Sequence, residues 1–204
     1  MPRRSCPRRS SRRRAPGMSR PSSASPARPS PSERSREPTM RTVMFVCTGN
    51  TCRSPFAERL AALLDPSTRY TSTGTHLLAD LGIDPAMAAC LTRLGASTAG
   101  FTSTQLDADR AAGADLLVCL TRSHRDFVVG TWPEAAARTV VLRPYAELAA
   151  AGTVAAWDPP GAGVEVPSRG YLDDIADPYR LGRDEAERAA AEIETALRTV
   201  LGLG

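Results

Sequence analysis

From Arg41 onward, short apolar or β-branched runs alternate with longer stretches whose apolar residues recur at steps of three and four. "TVMFV" (42–46) reads as a buried strand and "TRYTST" (68–73) as a more polar one suited to a sheet edge. "DLLVCL" (115–120) and "RTVVL" (138–142) complete a set of about four. Helices are predicted over 55–64, 84–95, roughly 104–112 and 122–130. The clearest helix is "RDEAERAAAEIETALRTVL" (183–201), where Ala186, Ala189, Ile193, Leu197 and Val200 make one apolar face with charges between them. Residues 149–169 are rich in Gly and Pro and read as a long surface loop. Strands alternating with helices predict an α/β fold, a parallel sheet covered by helices. Ligand sites in such folds lie beyond the carboxyl ends of the strands, and Cys47 stands at one of those ends.

Residues 1–40 follow no such pattern. They hold eleven Arg, ten Ser and eight Pro against two Glu, and no Trp, Tyr or Phe. Such a segment buries too little apolar surface to offset the entropy of ordering it, so it reads as a disordered tail ahead of a folded domain over 41–204. The net charge of +4 over 204 residues comes from this arm, and the remainder is net acidic. An Arg-rich arm can bind phosphate-bearing surfaces. This one has no interleaved aromatics and no amphipathic period, which argues for a solvated tail over a nucleic-acid or membrane-binding one. Met18 and Met40 stand in frame, so a start at Met40, with the tail never made, is a second reading. A Ser- and Arg-rich, acid-poor composition also fits an organelle transit peptide, a third reading. No apolar h-region follows the arginines and no run has the length of a membrane span.

Five cysteines, Cys6, Cys47, Cys52, Cys90 and Cys119, are widely spaced and odd in number, unlike a secreted disulfide scaffold. Only His76 and His124 are available as imidazole ligands, and neither has zinc-ligand spacing to a cysteine pair. A reducing, cytoplasmic setting fits this usage.

The loop "CTGNTCRSP" (47–55) carries the chemistry. Thr48, Gly49, Asn50 and Thr51 let the backbone turn tightly and aim consecutive N–H groups inward, a ring of donors for an anion. Ser54 and Pro55 read as a helix start, the hydroxyl capping and the proline pre-set for the first turn, so positive potential also points at the loop. Arg53 adds a planar fork for two oxygens of a phosphate. A thiol inside this ring is favoured as thiolate and placed to attack phosphorus. Alone, Cys47 would read as a small buried apolar residue. Set in register with Gly49, Asn50, Arg53, Ser54 and Pro55, it reads as a nucleophile. Cys52 lies close enough along the chain to form a reversible disulfide with Cys47 under oxidation, the alternative being a packed bystander.

"VCTGNTCRSP" resembles the active-site loop of the low-molecular-weight protein tyrosine phosphatase family, whose pattern is C-x5-R-S and commonly V-C-x-G-N-x-C-R-S-P. Weaker similarity runs from about 41 to 202 through "STGT" (72–75), "ADLLVCLTRSH" (114–124) and "DIADPY" (174–179). The resemblance implies a three-layer fold with a four-stranded parallel sheet in the order 2-1-3-4. It implies Cys47 as nucleophile, Arg53 on the phosphoryl group, and Asn50 and Ser54 holding loop and thiolate. Phosphorylated proteins are the implied partners, with no cofactor and no metal.

The family's general acid is an Asp before Pro, and Asp158-Pro159 and Asp177-Pro178 both fit. The match in "DIADPY" favours Asp177, with Tyr179 at the pocket mouth; Asp158 has the plain reading of a turn former. Thr51 stands where tyrosine-directed members have Ile or Leu and resembles the protein arginine phosphatase branch, so phosphotyrosine and phosphoarginine both remain open. A thiol-linked arsenate reductase shares this loop type but needs relay cysteines, and none follows Cys119. A non-catalytic phosphate-binding module is the third alternative, disfavoured by the complete Cys47, Arg53 and Asp177 set. Three departures from the family, Phe101 near a usual His, "STG" for S-A-G and a longer loop before Asp177, bear on the pocket rim.

Overall fold

The computed structural model describes residues 40–77 and 82–203. The expected tail, apart from Met40, lies outside them. Four strands, β1 (Thr42–Cys47), β2 (Arg69–Gly74), β3 (Leu116–Cys119) and β4 (Thr139–Val141), form one sheet in the order β2-β1-β3-β4, every pair parallel. The register sets Cys47 beside Gly74, and Val46 beside Cys119.

The run "TVMFVC" forms a central strand because both faces are covered. Val43, Phe45 and Cys47 point into a core shared with α1 (Arg53–Leu64), α2 (Pro85–Arg93), α5 (Leu142–Ala150) and α6 (Arg183–Val200). Met44 and Val46 point into a second core under α3 (Ala108–Gly113) and α4 (Arg122–Thr131). This period-two division is why an unbroken apolar run belongs at the centre of a three-layer fold. The predicted face of α6 is the buried one: Ala186, Ala189, Ile193, Leu197 and Val200 all lie in the core.

Three segments depart from the sequence reading. The helix expected over 104–112 begins at Ala108, capped by the Asp107 carboxylate, which accepts from Arg110 N. The residues before it are drawn straight, because Gln105 bridges to Gly74 and Thr104 N donates to the Asn50 side chain. The strand expected to reach 142 stops at Val141, and α5 follows at once, burying Leu142, Tyr145 and Leu148. The loop expected at the surface from Ala149 carries a buried anchor. Trp157 is 2% exposed, stacks on Tyr145 and meets Phe45 and Tyr70 edge-on, with centroids 5.7–6.2 Å away. Tyr145 Oη clamps the turn by donating to Asp158 O at 2.9 Å and Ala155 O at 3.2 Å. Among the described residues no helix is long and apolar enough to cross a membrane.

Candidate active site

The loop between β1 and α1 is held from outside by its carbonyls. Cys47 O accepts from Thr75 N, Thr48 O from His76 N, Thr51 O from Asp84 N, and Asn50 O from Ser103 Oγ, all at 2.8–2.9 Å. In a planar trans peptide the N–H points opposite to the C=O. Carbonyls drawn outward therefore turn the amides of Thr48, Gly49, Thr51 and Cys52 inward, the concavity that binds an oxyanion. Asn50 adopts φ 50°, the left-handed conformation Asn tolerates better than other side chains do.

The buried Asn50 side chain locks the loop. Its Nδ2 donates to Ser54 Oγ and Ser72 Oγ, both at 2.9 Å, and its Oδ1 accepts from Thr104 N at 2.8 Å. Ser72 Oγ passes its own hydrogen to Glu58 Oε2 at 2.6 Å. Burial raises the Glu58 carboxyl above its ordinary range, partly offset by the Ser72 hydroxyl and Arg59.

Ser54 does not cap the helix as its sequence suggests. The N-cap position falls to Cys52, with no side-chain cap bond, and Ser54 sits in the first turn with its hydroxyl 3.0 Å from Cys47 Sγ. The hydroxyl has one hydrogen to give, to the sulfur or to Thr73 O at 3.3 Å. A thiolate draws it to sulfur, since hydrogen bonds to charged groups are the stronger. Pro55 lies in the first turn, where its missing N–H removes no helical bond.

Arg53 is 4% exposed. Its Nη1 donates to Ile175 O at 2.9 Å, and its Nη2 lies 2.7 Å from Asp177 Oδ2. Ile175 N in turn donates to Leu120 O at the end of β3, tying the segment that carries Asp177 to the sheet. Arg53 Nε is buried with no hydrogen-bond partner among the described residues, a donor left for a ligand.

Cys47, Thr48, Gly49, Thr51, Cys52, Arg53, Asp177 and Tyr179 line one cleft, together with His76, which the sequence reading weighed only as a metal ligand. The Arg180 guanidinium lies 5.0 Å from the centroid of the Tyr179 ring. Burial pushes the Cys52 thiol up to about 12, the Thr51 hydroxyl offsetting part of that and the charges of Asp84 and Asp177 adding to it.

Asp158 is elsewhere. Its carboxylate pairs with Arg41, just before β1 at the end away from Cys47, which by strand rise is about 20 Å off. Cys90 and Cys119 are both buried, so neither offers an accessible relay thiol.

Sequence reasoning also missed His124, 6% exposed, whose ring joins Thr48 of the loop to Thr121. The signal was present in "CLTRSH", a Thr capping a helix three residues before a His at the end of a buried strand.

Residues 42–166 match the family model described as low molecular weight phosphotyrosine protein phosphatase; that match stops short of Asp177. Over 162 residues the chain is 32% identical to a protein-arginine-phosphatase of Geobacillus stearothermophilus, covering 77% of this chain and 96% of that one. It is 27% identical over 155 residues to the low molecular weight protein-tyrosine-phosphatase Etp of Escherichia coli strain K12, covering 76% and 88%. Among solved structures it superposes on the YwlE arginine phosphatase from Geobacillus stearothermophilus with a TM-score of 0.63 at 26% identity, covering 80% and 92%. A loop of this geometry within a family match over most of the folded region leads to one conclusion: the chain belongs to the low molecular weight phosphotyrosine protein phosphatase family and is a cysteine-dependent phosphatase.

Proposed function

We propose that Cys47, Arg53 and Asp177 carry out the hydrolysis of a phosphorylated protein side chain, and that the side chain is phosphoarginine. The single observation behind the roles is the convergence of the three in one cleft, with Ser54 Oγ 3.0 Å from the sulfur and Asp177 2.7 Å from Arg53.

The Cys47 thiolate attacks phosphorus, forming an S–P bond as the bond to the leaving group breaks. Loop amides and Arg53 hold the three equatorial oxygens through a loose transition state. A phosphoryl group entering the ring competes with Asp177 for Arg53, which frees the carboxyl group to reach the leaving atom. Asp177, protonated from solvent once Arg53 has turned to the phosphoryl group, gives that atom its proton. Water then attacks the cysteinyl phosphate, its proton passes to the Asp177 carboxylate, and the S–P bond breaks to return thiolate and inorganic phosphate.

Thr51 supports the choice of substrate. It lines the cleft and carries a hydroxyl, 3.8 Å from Cys52 Sγ, a polar group suited to the N–H groups of a guanidine, where an apolar side chain would suit a phenyl ring. The odd, widely spaced cysteines fit a reducing, cytoplasmic setting for the enzyme. The domain is taken as residues 41–204 and the preceding arm as dispensable, so deleting 1–39 is expected to leave kcat unaltered.

The test compares matched phosphoarginine and phosphotyrosine peptides. Cys47→Ser should abolish turnover of both. Asp177→Asn should lower kcat by 10²–10⁴-fold, about the contribution of a positioned general acid. Thr51→Ile should shift preference toward phosphotyrosine. Preference for phosphotyrosine in the native enzyme would overturn the substrate assignment and leave the roles standing.

A further inference from the structure

His124 is a buried titratable side chain that the mechanism above does not use, and it touches the phosphate loop. Thr121 caps α4, its Oγ1 accepting from His124 N at 3.2 Å, and the same oxygen lies 2.8 Å from His124 Nδ1. On the far side of the ring, Nε2 lies 2.9 Å from Thr48 Oγ1. Both ring nitrogens are thus engaged, and by hydroxyls that can either give or accept.

The backbone bond favours one direction. With the Thr121 oxygen already accepting from His124 N, its hydrogen is free to be given to Nδ1. A ring that accepts at Nδ1 carries its hydrogen on Nε2, which then donates to Thr48 Oγ1. Thr48 accepts on that side, and its own hydrogen turns away from the ring. The exposed residue Thr48 lines the cleft, so that hydrogen is free for an oxyanion bound there. The opposite tautomer would make Thr121 Oγ1 accept twice and commit the Thr48 hydrogen to the ring. A doubly protonated ring is disfavoured by burial and by the nearby Arg53 and His76, which together push His124 down to about 4.

We propose that His124 is a positioning residue: as the Nε2–H tautomer, fixed by Thr121, it orients the Thr48 hydroxyl as an additional donor to a phosphoryl oxygen. The role rests on the phosphatase reading of the loop and adds to it a donor that lies outside the ring of amides and Arg53. Thr48 is the group that touches substrate, and His124 acts through it.

Two measurements test this. The chain has two histidines, so protein labelled with ¹⁵N-histidine gives ring signals that a His76→Asn variant assigns. Long-range ¹H–¹⁵N spectra at neutral pH should show His124 bare at Nδ1 and protonated at Nε2. Competitive inhibition by inorganic phosphate should weaken about tenfold in Thr48→Val and in His124→Phe, the size expected for one hydrogen bond to a charged group. The double variant should be no weaker than either single one, because both remove the same donor. A purely structural role would lower the melting temperature and leave the inhibition constant of the folded enzyme where it was. If His124→Phe fails to fold, Thr48→Val and the tautomer decide. An Nδ1–H ring, or unaltered phosphate inhibition in Thr48→Val, would overturn the proposal. Failure of the proposed Cys47 role would show separately, as hydrolysis surviving Cys47→Ser, and failure of the phosphatase reading as no hydrolysis of any phosphomonoester or phosphoarginine by the native enzyme.

Discussion

Two equally buried thiols in the cleft have different surroundings: the Ser54 hydroxyl faces Cys47 Sγ, whereas the charges of Asp84 and Asp177 act on Cys52. Held near 12, the Cys52 thiol stays protonated, which leaves Cys47 as the proposed nucleophile. Peroxide should therefore oxidise Cys47 first. Its sulfenic acid can then condense with the Cys52 thiol, forming the S–S bond and releasing water. Peroxide-treated native enzyme is expected to regain activity with a dithiol, while Cys52→Ser should pass to the irreversible sulfinic state. Equal recovery in both would exclude a protective Cys52. His124 supplies a second test at this scale. Its folded pKa, about 4, lies below the ordinary 6.5, so the unfolded chain binds a proton that the folded one refuses. Stability is complete above 6.5 and falls as pH drops toward 4, by about 2 kcal/mol at pH 5. Urea unfolding at pH 7 and pH 5 should show that loss, and His124→Gln should reduce it.

At the scale of elements, β2 serves the site by ending on a residue with no side chain. A Cβ on Gly74 would stand 2.5 Å from Thr48 O and 3.0 Å from both Asn50 N and Leu77 Cδ2. Two of those atoms are phosphate-loop backbone, so the loop must move for Gly74→Ala to fit. The expected cost is about 1–3 kcal/mol of stability. A displacement near 1 Å should also lower kcat/KM for an aryl phosphate by about 10²-fold. Thermal unfolding and steady-state kinetics measure both, and native kinetics would show that the loop tolerates the methyl group. Legibility divides along the same lines. The loop that carries Cys47, Asn50 and Arg53 was readable because its signals are local in sequence, and α6 because its apolar period runs for five turns. The start of α5 was not, since Leu142 continues the apolar run of β4 and no polar cap separates them. The straight segment before α3 was hidden as well, because its partners, Gly74 and Asn50, are distant in sequence. Ser54 read as a cap from its place before Pro55, and only the family resemblance pointed it at the thiol that it faces.

Across the whole molecule, β1 divides the work between its ends. The Cys47 end holds the cleft. At the Arg41 end the chain closes over Trp157, with Tyr145 beneath it and the Arg41–Asp158 pair beside it. Trp157 has φ 63°, a backbone conformation costly for a bulky residue, which the packing of three aromatic rings around the indole offsets. Truncating this side chain removes the anchor of residues 151–169 and leaves a cavity against Phe45 and Tyr70. Trp157→Ala should therefore lose about 3–5 kcal/mol, within reach of the whole stability of a marginal domain. Phe45 shares one face of β1 with Cys47, but the loop bonds that shape the cleft come from Thr75, His76, Asp84 and Ser103, none of which Trp157 stacks on. The folded fraction should keep native kcat. Activity followed through urea titration, with folding read in parallel by far-ultraviolet circular dichroism, should show the midpoint shifted and kcat per folded molecule constant. A fall in kcat ahead of unfolding would mean that strain at the Arg41 end is transmitted along β1 to the sulfur.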